Sequence, residues 1–361
     1  MSRNSFILLF ILTTISVIAA IFITLTNNRP NTVVGDMKPV FPNLVKEINN
    51  VGAIEVYDSK NRFTIIGEGD RWGILEKGNY VVPRERVRNF LIELSNLKLV
   101  EKKTKISSLY NRLAVENPAE KNSVSRGVRI LSTNGDKLAS GIIGKRKYFL
   151  YVDGRGGTYV RKEEDDQSWL AEGEVNFKAD APFWLNRLVF EFDPNYVQSY
   201  EISEQGGEKL VANRKDPGKK FEIESIAKDR IFKTDNEAER LAYVIEKFEF
   251  ADIEKSTHKK FDNFDGKKHF ARYNFFNGLV ITFEVITIPR SENDSKFDEP
   301  KRWARIRASI NDKTSLNQKN TIQKVVDELN NKLSPWDFLL EELDGIRTTK
   351  KIEDMLKEKS S

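Results

Sequence analysis

After residue 40 the chain states one pattern twice, and a repeated strand-rich pattern confines it to folds built from two copies of one unit. The first copy opens with GlyAlaIleGluValTyr at 52–57, whose apolar–polar alternation suits a half-buried strand. ArgPheThrIleIle at 62–66 and TrpGlyIleLeu at 72–75 follow as strands, with Gly67, Gly69 and Asp70 as turn residues between them. A helix comes next: Pro83 suits its first turn, and Val87, Phe90, Leu91, Leu94 and Leu97 share one face. The second copy repeats that order, with strands at 198–202, 209–212 and 221–223. Thr234 and Glu237 then form a capping box, ahead of a helical face made of Ala238, Leu241, Ala242, Ile245 and Phe248. The offset between copies drifts from 146 (Glu55 to Glu201) to 151 (Leu94 to Ile245), as short loop insertions produce.

Each helix leads into a hairpin. ValArgIleLeu at 128–131 and AlaSerGlyIleIle at 139–143 pair around AsnGly at 134–135. ArgTyrAsnPhePhe at 272–276 and LeuValIleThrPheGluVal at 279–285 flank AsnGly at 277–278 in the same way. TyrValArg at 159–161 corresponds to TrpAlaArgIleArg at 303–307, and the opening at 41–48 to 183–190. The fold class is therefore α+β: two repeated, mostly antiparallel strand-rich units with one main helix each, plus C-terminal helices. A helix is expected over Asn320–Leu333, with short apolar pieces at Trp336–Leu340 and Ile352–Leu356. The expected organisation is an N-terminal membrane helix at 1–26, a tether at 27–40, repeats at 41–182 and 183–333, and a helical extension at 334–361.

The membrane helix rests on Phe6 to Leu25, of which fourteen residues are Ile, Leu, Phe or Val and none is charged. Twenty helical residues rise about 30 Å, the thickness of a hydrocarbon core. Insertion of those side chains is favourable by about 4 to 8 kcal/mol. Phe6, Leu9, Leu12, Ile18, Phe22 and Leu25 are the anchoring side chains. The run is longer than the apolar region of a cleaved signal, and no A-x-A-like site follows it, so it reads as an uncleaved anchor. Arg3 before the run nearly balances Arg29 and Lys38 after it; the N-terminus inside and the body outside is the expected orientation.

The residues after position 40 also resemble a bacterial family, domain of unknown function 4340. PheProAsnLeu at 41–44 leading into ValGlyAlaIleGluVal at 51–56, GlyAspArgTrpGly at 69–73 and SerLeuTyrAsnArgLeuAlaValGluAsnPro at 108–118 carry the resemblance. GlyLysArg at 144–146, GlyThrTyrValArg at 157–161, GlnSerTrpLeuAla at 167–171 and TrpLeuAsnArg at 184–187 complete it, over about 40–356. The resemblance implies a membrane-anchored extracytoplasmic protein of the bacterial inner membrane, with its body in the periplasm. It also implies association with ABC-transporter permeases and a gliding-motility-type auxiliary subunit. It brings no catalytic residue with it.

Composition narrows the chemistry. With no cysteine, disulfides, thiolate metal sites and a cysteine nucleophile are excluded. Lys and Arg number 59 against 54 acids, so the net charge of +5 is too slight to mark a nucleic-acid binder. The two histidines, His258 and His269, lie in basic stretches and would need Asp262 or Asp265 close in space to hold a metal. GlyIleIleGlyLysArg at 141–146 lacks the spacing and the Ser/Thr of a phosphate loop and reads as a turn in a sheet. GluGluAspAsp at 163–166 reads as a solvated loop. Lys145, Arg146 and Arg155, beside the glycines at 154–157, are the candidates for contact with an anion or a partner. The expectation is a non-enzymatic accessory or scaffold subunit of an ABC-type transporter complex, with no cofactor, metal or nucleic acid. A ligand- or glycan-binding module is the alternative.

Overall fold

The computed structural model describes residues 12–20, 37–151, 154–224, 233–234, 236–257, 259–290, 299–351 and 353–357. The chain before residue 180 supplies strands β1 (Val51–Tyr57), β2 (Arg62–Glu68), β3 (Arg71–Ile74), β4 (Tyr80–Val82), β5 (Lys98–Lys102), β6 (Arg126–Ser132), β7 (Lys137–Lys147), β8 (Gly157–Lys162) and β9 (Ser168–Glu172). The remainder supplies β10 (Leu188–Phe190), β11 (Val197–Glu204), β12 (Lys209–Asn213), β13 (Glu222–Ile223), β14 (Phe248–Lys255), β15 (His269–Phe275), β16 (Leu279–Ile288), β17 (Lys301–Ile310) and β18 (Trp336–Leu340). Alternation makes these strands: in β1, Ile54 and Val56 are fully buried while Glu55 between them is not.

Two nine-stranded sheets result, in the orders β4-β3-β2-β1-β6-β7-β8-β9-β5 and β10-β14-β18-β17-β16-β15-β11-β12-β13. Reading the second backwards, β13-β12-β11-β15-β16-β17-β18-β14 follows the same path as β3-β2-β1-β6-β7-β8-β9-β5. The registers agree in detail. Glu55 lies opposite Arg129 as Glu201 lies opposite Arg272. The β1–β6 ladder shifts between Val51 and Ala53, and the β11–β15 ladder between Val197 and Ser199, 146 positions on. A second shift falls between Leu99 and Glu101 in β5, and between Phe250 and Asp252 in β14, at the offset of 151. Even the bridge of Pro39 to Lys98 has its counterpart in Leu188 opposite Glu249. Bulges re-aim side chains and are kept as features of a fold, so the repetition extends to irregularities that hydrophobic patterning alone would not fix.

By compactness the chain divides into Met1–Trp72 with Arg84–Ala179, and Gly73–Pro83 with Asp180–Ser361. In the first unit, helix α1 (Pro42–Glu47) precedes β1, and helix α2 (Arg84–Ser95) buries Val87, Phe90, Leu91 and Leu94. Phe90 sits 5.3 Å from the ring of Phe177. Gly127 in β6 has no room for a side chain: an added Cβ would meet the ring of Tyr57 at 2.2 Å. In the second unit the core is aromatic, with Phe248 against Phe283 and Phe338 at 5.6 and 5.8 Å. Tyr200 and Tyr273 donate to the carbonyls of Ala238 and Leu241, tying the helical turns at 237–245 to the sheet.

Several expectations change. The helix counterpart in the second unit is only Glu237–Leu241 followed by a 3-10 turn at Ala242–Ile245. Its capping box is not formed: Asn236 is the N-cap, and Thr234 bonds the Glu237 carboxylate instead of the backbone. The long helix of that unit is α3 (Leu316–Leu333), inserted between β17 and β18. Trp336–Leu340 is not part of a helical extension at 334–361 but strand β18, paired with both β14 and β17. Five residues are too few to separate the two periodicities, and only the long-range pairing decides. Helix α4 (Glu342–Thr348) follows, with Asp344 buried within it. The pairing of 41–48 with 183–190 also slips, because residues 42–47 are helical whereas 188–190 form a strand.

Candidate functional site

The three basic residues singled out in the sequence, Lys145, Arg146 and Arg155, lie at one end of the β7–β8 hairpin, each with a different partner. GlyIleIleGlyLysArg at 141–146 is strand, not turn, and its ladder with β8 shifts between Ile143 and Arg146. At Gly144 a Cβ would lie 2.3 Å from the carbonyl of Leu113, so this position requires glycine for the close approach. Lys145 and Arg146 follow, both exposed. Lys145 donates to the carbonyl of Arg112 at 3.1 Å. Arg146 pairs with the Glu174 carboxylate, and its guanidinium lies 5.4 Å from the ring of Tyr148. Arg155 pairs with Glu172 and stacks over Tyr151 at 4.5 Å, while the Tyr151 hydroxyl donates to the same carboxylate at 3.2 Å. Both arginines are thus held by the protein's own acids, and an external anion would compete with Glu172 and Glu174 for them. Beyond these pairs stand Tyr148 and Phe149, 67% and 80% exposed, with Phe149 at φ +56°.

A second polar centre was not legible as a site. Glu163 accepts from Arg129 Nε at 2.8 Å and from a second Arg129 nitrogen, from the Ser140 hydroxyl, and from the Tyr57 hydroxyl at 3.0 Å. Glu55 adds a second carboxylate 3.5 Å from Arg129. The Arg129 guanidinium, helped by the hydroxyl donors, holds the Glu163 carboxyl at about 2, while burial and the neighbouring Glu163 push the Tyr57 phenol to about 12. Glu163 therefore is not part of a solvated loop, although Glu164, paired with Lys137, is exposed.

A third centre lies on the second unit. Glu204 accepts from Lys351 at 2.9 Å and Lys267 at 3.0 Å, which hold its carboxyl at about 2. His269 stands opposite, 3.9 Å away, and burial lowers its basicity; its Nδ1 is buried without a hydrogen-bond partner among the described residues. They border a cavity of 210 Å³ together with Ile202, Leu210 and Thr349. His258 lies outside the described residues. Asp262 stands 3.8 Å from Arg305. Among the described residues no group of three His, Cys, Asp or Glu side chains has the arrangement to hold a metal ion.

The anchoring segment is described only in part. Residues 12–20 are helical, with Leu12 and Ile18 exposed at 56% and 60%. Phe6, Leu9, Phe22 and Leu25 lie outside the described residues. Among the described residues no helix is long and apolar enough to cross a membrane.

With the duplicated α+β fold and these centres established, the chain belongs to the family of the domain of unknown function (DUF4340), whose model matches residues 72–265. That match is narrower than the 40–356 span of the resemblance and takes in parts of both units. No curated protein and no solved structure matches the chain.

Proposed function

We propose that the protein is a non-enzymatic, membrane-anchored component of the bacterial cell envelope, its segment at 6–25 crossing the inner membrane and its duplicated body facing the periplasm as a scaffold for partner proteins. The observation that carries this is the uncharged run from Phe6 to Leu25 ahead of a strand-rich body. At about 4 to 8 kcal/mol in favour of insertion, that run outweighs its three threonines and one serine. The charged side chains of the body are consistent with a scaffold: Glu163 and Glu204, both held well below the usual carboxylate range, are engaged by Arg129, Lys267 and Lys351. An ABC-type permease complex is the proposed partner. Crosslinking in native membranes followed by detergent solubilisation recovers permease or auxiliary subunits on this proposal; repeated recovery of the protein alone counts against it. A phosphatase fused after Ser361 is active and a fluorescent protein there is dark if the body is exported.

Ligand or glycan binding is the alternative, favoured by one feature of the first unit. Trp72, Val87, Leu91, Ile92, Arg84 and Arg88 line a groove of 460 Å³, within the range of small-molecule sites. A thermal shift with envelope glycans that is lost in Trp72→Ala would favour this reading over the scaffold.

A further inference from the structure

The β7–β8 hairpin ends in a way that its own fold does not explain. Tyr148 and Phe149 place two aromatic rings in water, at 67% and 80% exposure. Phe149 does so from φ +56°, a left-handed conformation that bulky residues rarely adopt. Strain of this kind persists where surrounding structure imposes it, and the outlier points toward a use. Here the backbone beyond it is fixed: the Leu150 and Tyr151 amides both donate to the carbonyl of Arg155, at 2.8 and 3.2 Å. Tyr151 is tied to Glu172 and stacked under Arg155. These bonds hold the backbone immediately beyond the rings.

Bases outnumber acids around them: Lys145, Arg146, Lys147 and Arg155 stand against Glu172, Glu174 and, in the sequence, Asp153. Lys145, Arg146 and Lys147 immediately precede the rings. Arg146 is matched by Glu174, whereas Lys145 meets only a backbone carbonyl and neither lysine meets a carboxylate among the described residues. Two exposed rings preceded by two lysines without a carboxylate partner have the composition of a membrane-interface contact: aromatic rings sit at headgroup depth and lysines meet anionic headgroups. A protein interface needs roughly 800 Å² from each side, and two rings of about 200 Å² each do not reach it. We infer that the Tyr148–Phe149 tip, with Lys145 and Lys147, docks onto the surface of an anionic bilayer. This goes beyond the proposed anchor and does not depend on it, since the contact needs lipid charge where the anchor needs only hydrocarbon.

The chain has no cysteine, so a single Leu150→Cys next to the rings carries an environment-sensitive label without further changes. The full-length labelled protein is added to phosphatidylcholine vesicles and to vesicles containing phosphatidylglycerol. The anchor predicts co-flotation with both; the tip predicts a blue shift and quenching by bromolipid in the anionic vesicles alone. Each lysine at an anionic surface is worth about a fivefold change in binding, so Lys145→Glu with Lys147→Glu reduces the immersed fraction by well over fivefold, and molar salt does the same. As a measurement on the unsubstituted chain, trypsin cleavage after Lys147 is slowed severalfold by anionic vesicles and not by neutral ones. A label that stays in water on anionic lipid, with unchanged cleavage, overturns the inference even where flotation upholds the anchor. A label buried only in native membranes assigns the tip to a protein and overturns it too.

Discussion

Two carboxylates of this molecule respond to pH in opposite directions. Glu163 is held at about 2 by Arg129 and its hydroxyl donors, below its ordinary 4.5. It therefore contributes stability in full above pH 4.5, and that contribution fades as pH falls toward 2. Glu163→Gln should cost about 1 to 3 kcal/mol at pH 7 and flatten the acid limb of a denaturant-midpoint-against-pH curve. An unchanged acid limb would remove Glu163 from the account of stability. Asp344 is raised by burial from 3.8 to about 6, against the opposing effect of Arg347 at 2.9 Å. The folded state holds its proton longer than the unfolded state, so stability falls as pH rises from about 4 to 6. Asp344→Asn should raise stability at pH 7.5 by up to about 3 kcal/mol and change little at pH 4, as thermal melts at both pH values would show. Neither role was legible in the sequence. GluGluAspAsp at 163–166 looks like a solvated run because the partner of Glu163 lies 34 positions away. Asp344 becomes buried only when its helix packs.

At the level of elements, what could be read was what repeats at a short period. The strands at 52–57, 62–66 and 72–75, and their partners at 198–202, 209–212 and 221–223, all fall on β1–β3 and β11–β13, because period-two alternation marks a strand buried on one face. The AsnGly turns likewise fall at hairpin ends, between β6 and β7 and between β15 and β16. Illegible elements are those whose state depends on distant neighbours, β18 above all. The insertion of α3 before β18 shows the same dependence. β17 pairs with β18 only at Trp303 and Ala304. Farther along β17, the side chain of Asn330 in α3 takes a strand's place, accepting from the Ala308 amide and donating to its carbonyl, both at 2.9 Å. Asn330→Leu keeps the branching at Cγ and removes both bonds, leaving two backbone groups of a buried residue unmatched. The expected loss is about 1 to 3 kcal/mol for each group that water cannot reach, read as a lower urea midpoint at unchanged slope. Asn330→Asp keeps the acceptor for the Ala308 amide but turns a second carboxylate oxygen against the Ala308 carbonyl, so it should not restore the midpoint.

For the molecule as a whole, the apolar run from Phe6 to Leu25 and the duplicated body make separable demands. The body's strands begin at Val51, and among the described residues its earliest backbone pairing is at Lys38, whose carbonyl accepts from the Leu99 amide at 2.9 Å beside the bridge of Pro39 to Lys98. Nothing in the described ladders draws on residues before 37, so deleting residues 1–36 should leave the far-UV circular dichroism of the body intact. The same deletion removes fourteen Ile, Leu, Phe and Val side chains worth about 4 to 8 kcal/mol before off-centre positions, the three Thr and the one Ser are discounted, a gross partition factor of about a thousand or more. The full chain should float with phosphatidylcholine vesicles and resist alkaline carbonate, and the shortened chain should do neither. Neutral lipid is the right medium because it offers no charge for Lys145 and Lys147, so attachment through the β7–β8 tip is not counted. A shortened chain that still floats on neutral vesicles would place the attachment in the body. A full chain released by carbonate would leave the apolar run without a bilayer to cross, and the envelope scaffold would lose its footing with it.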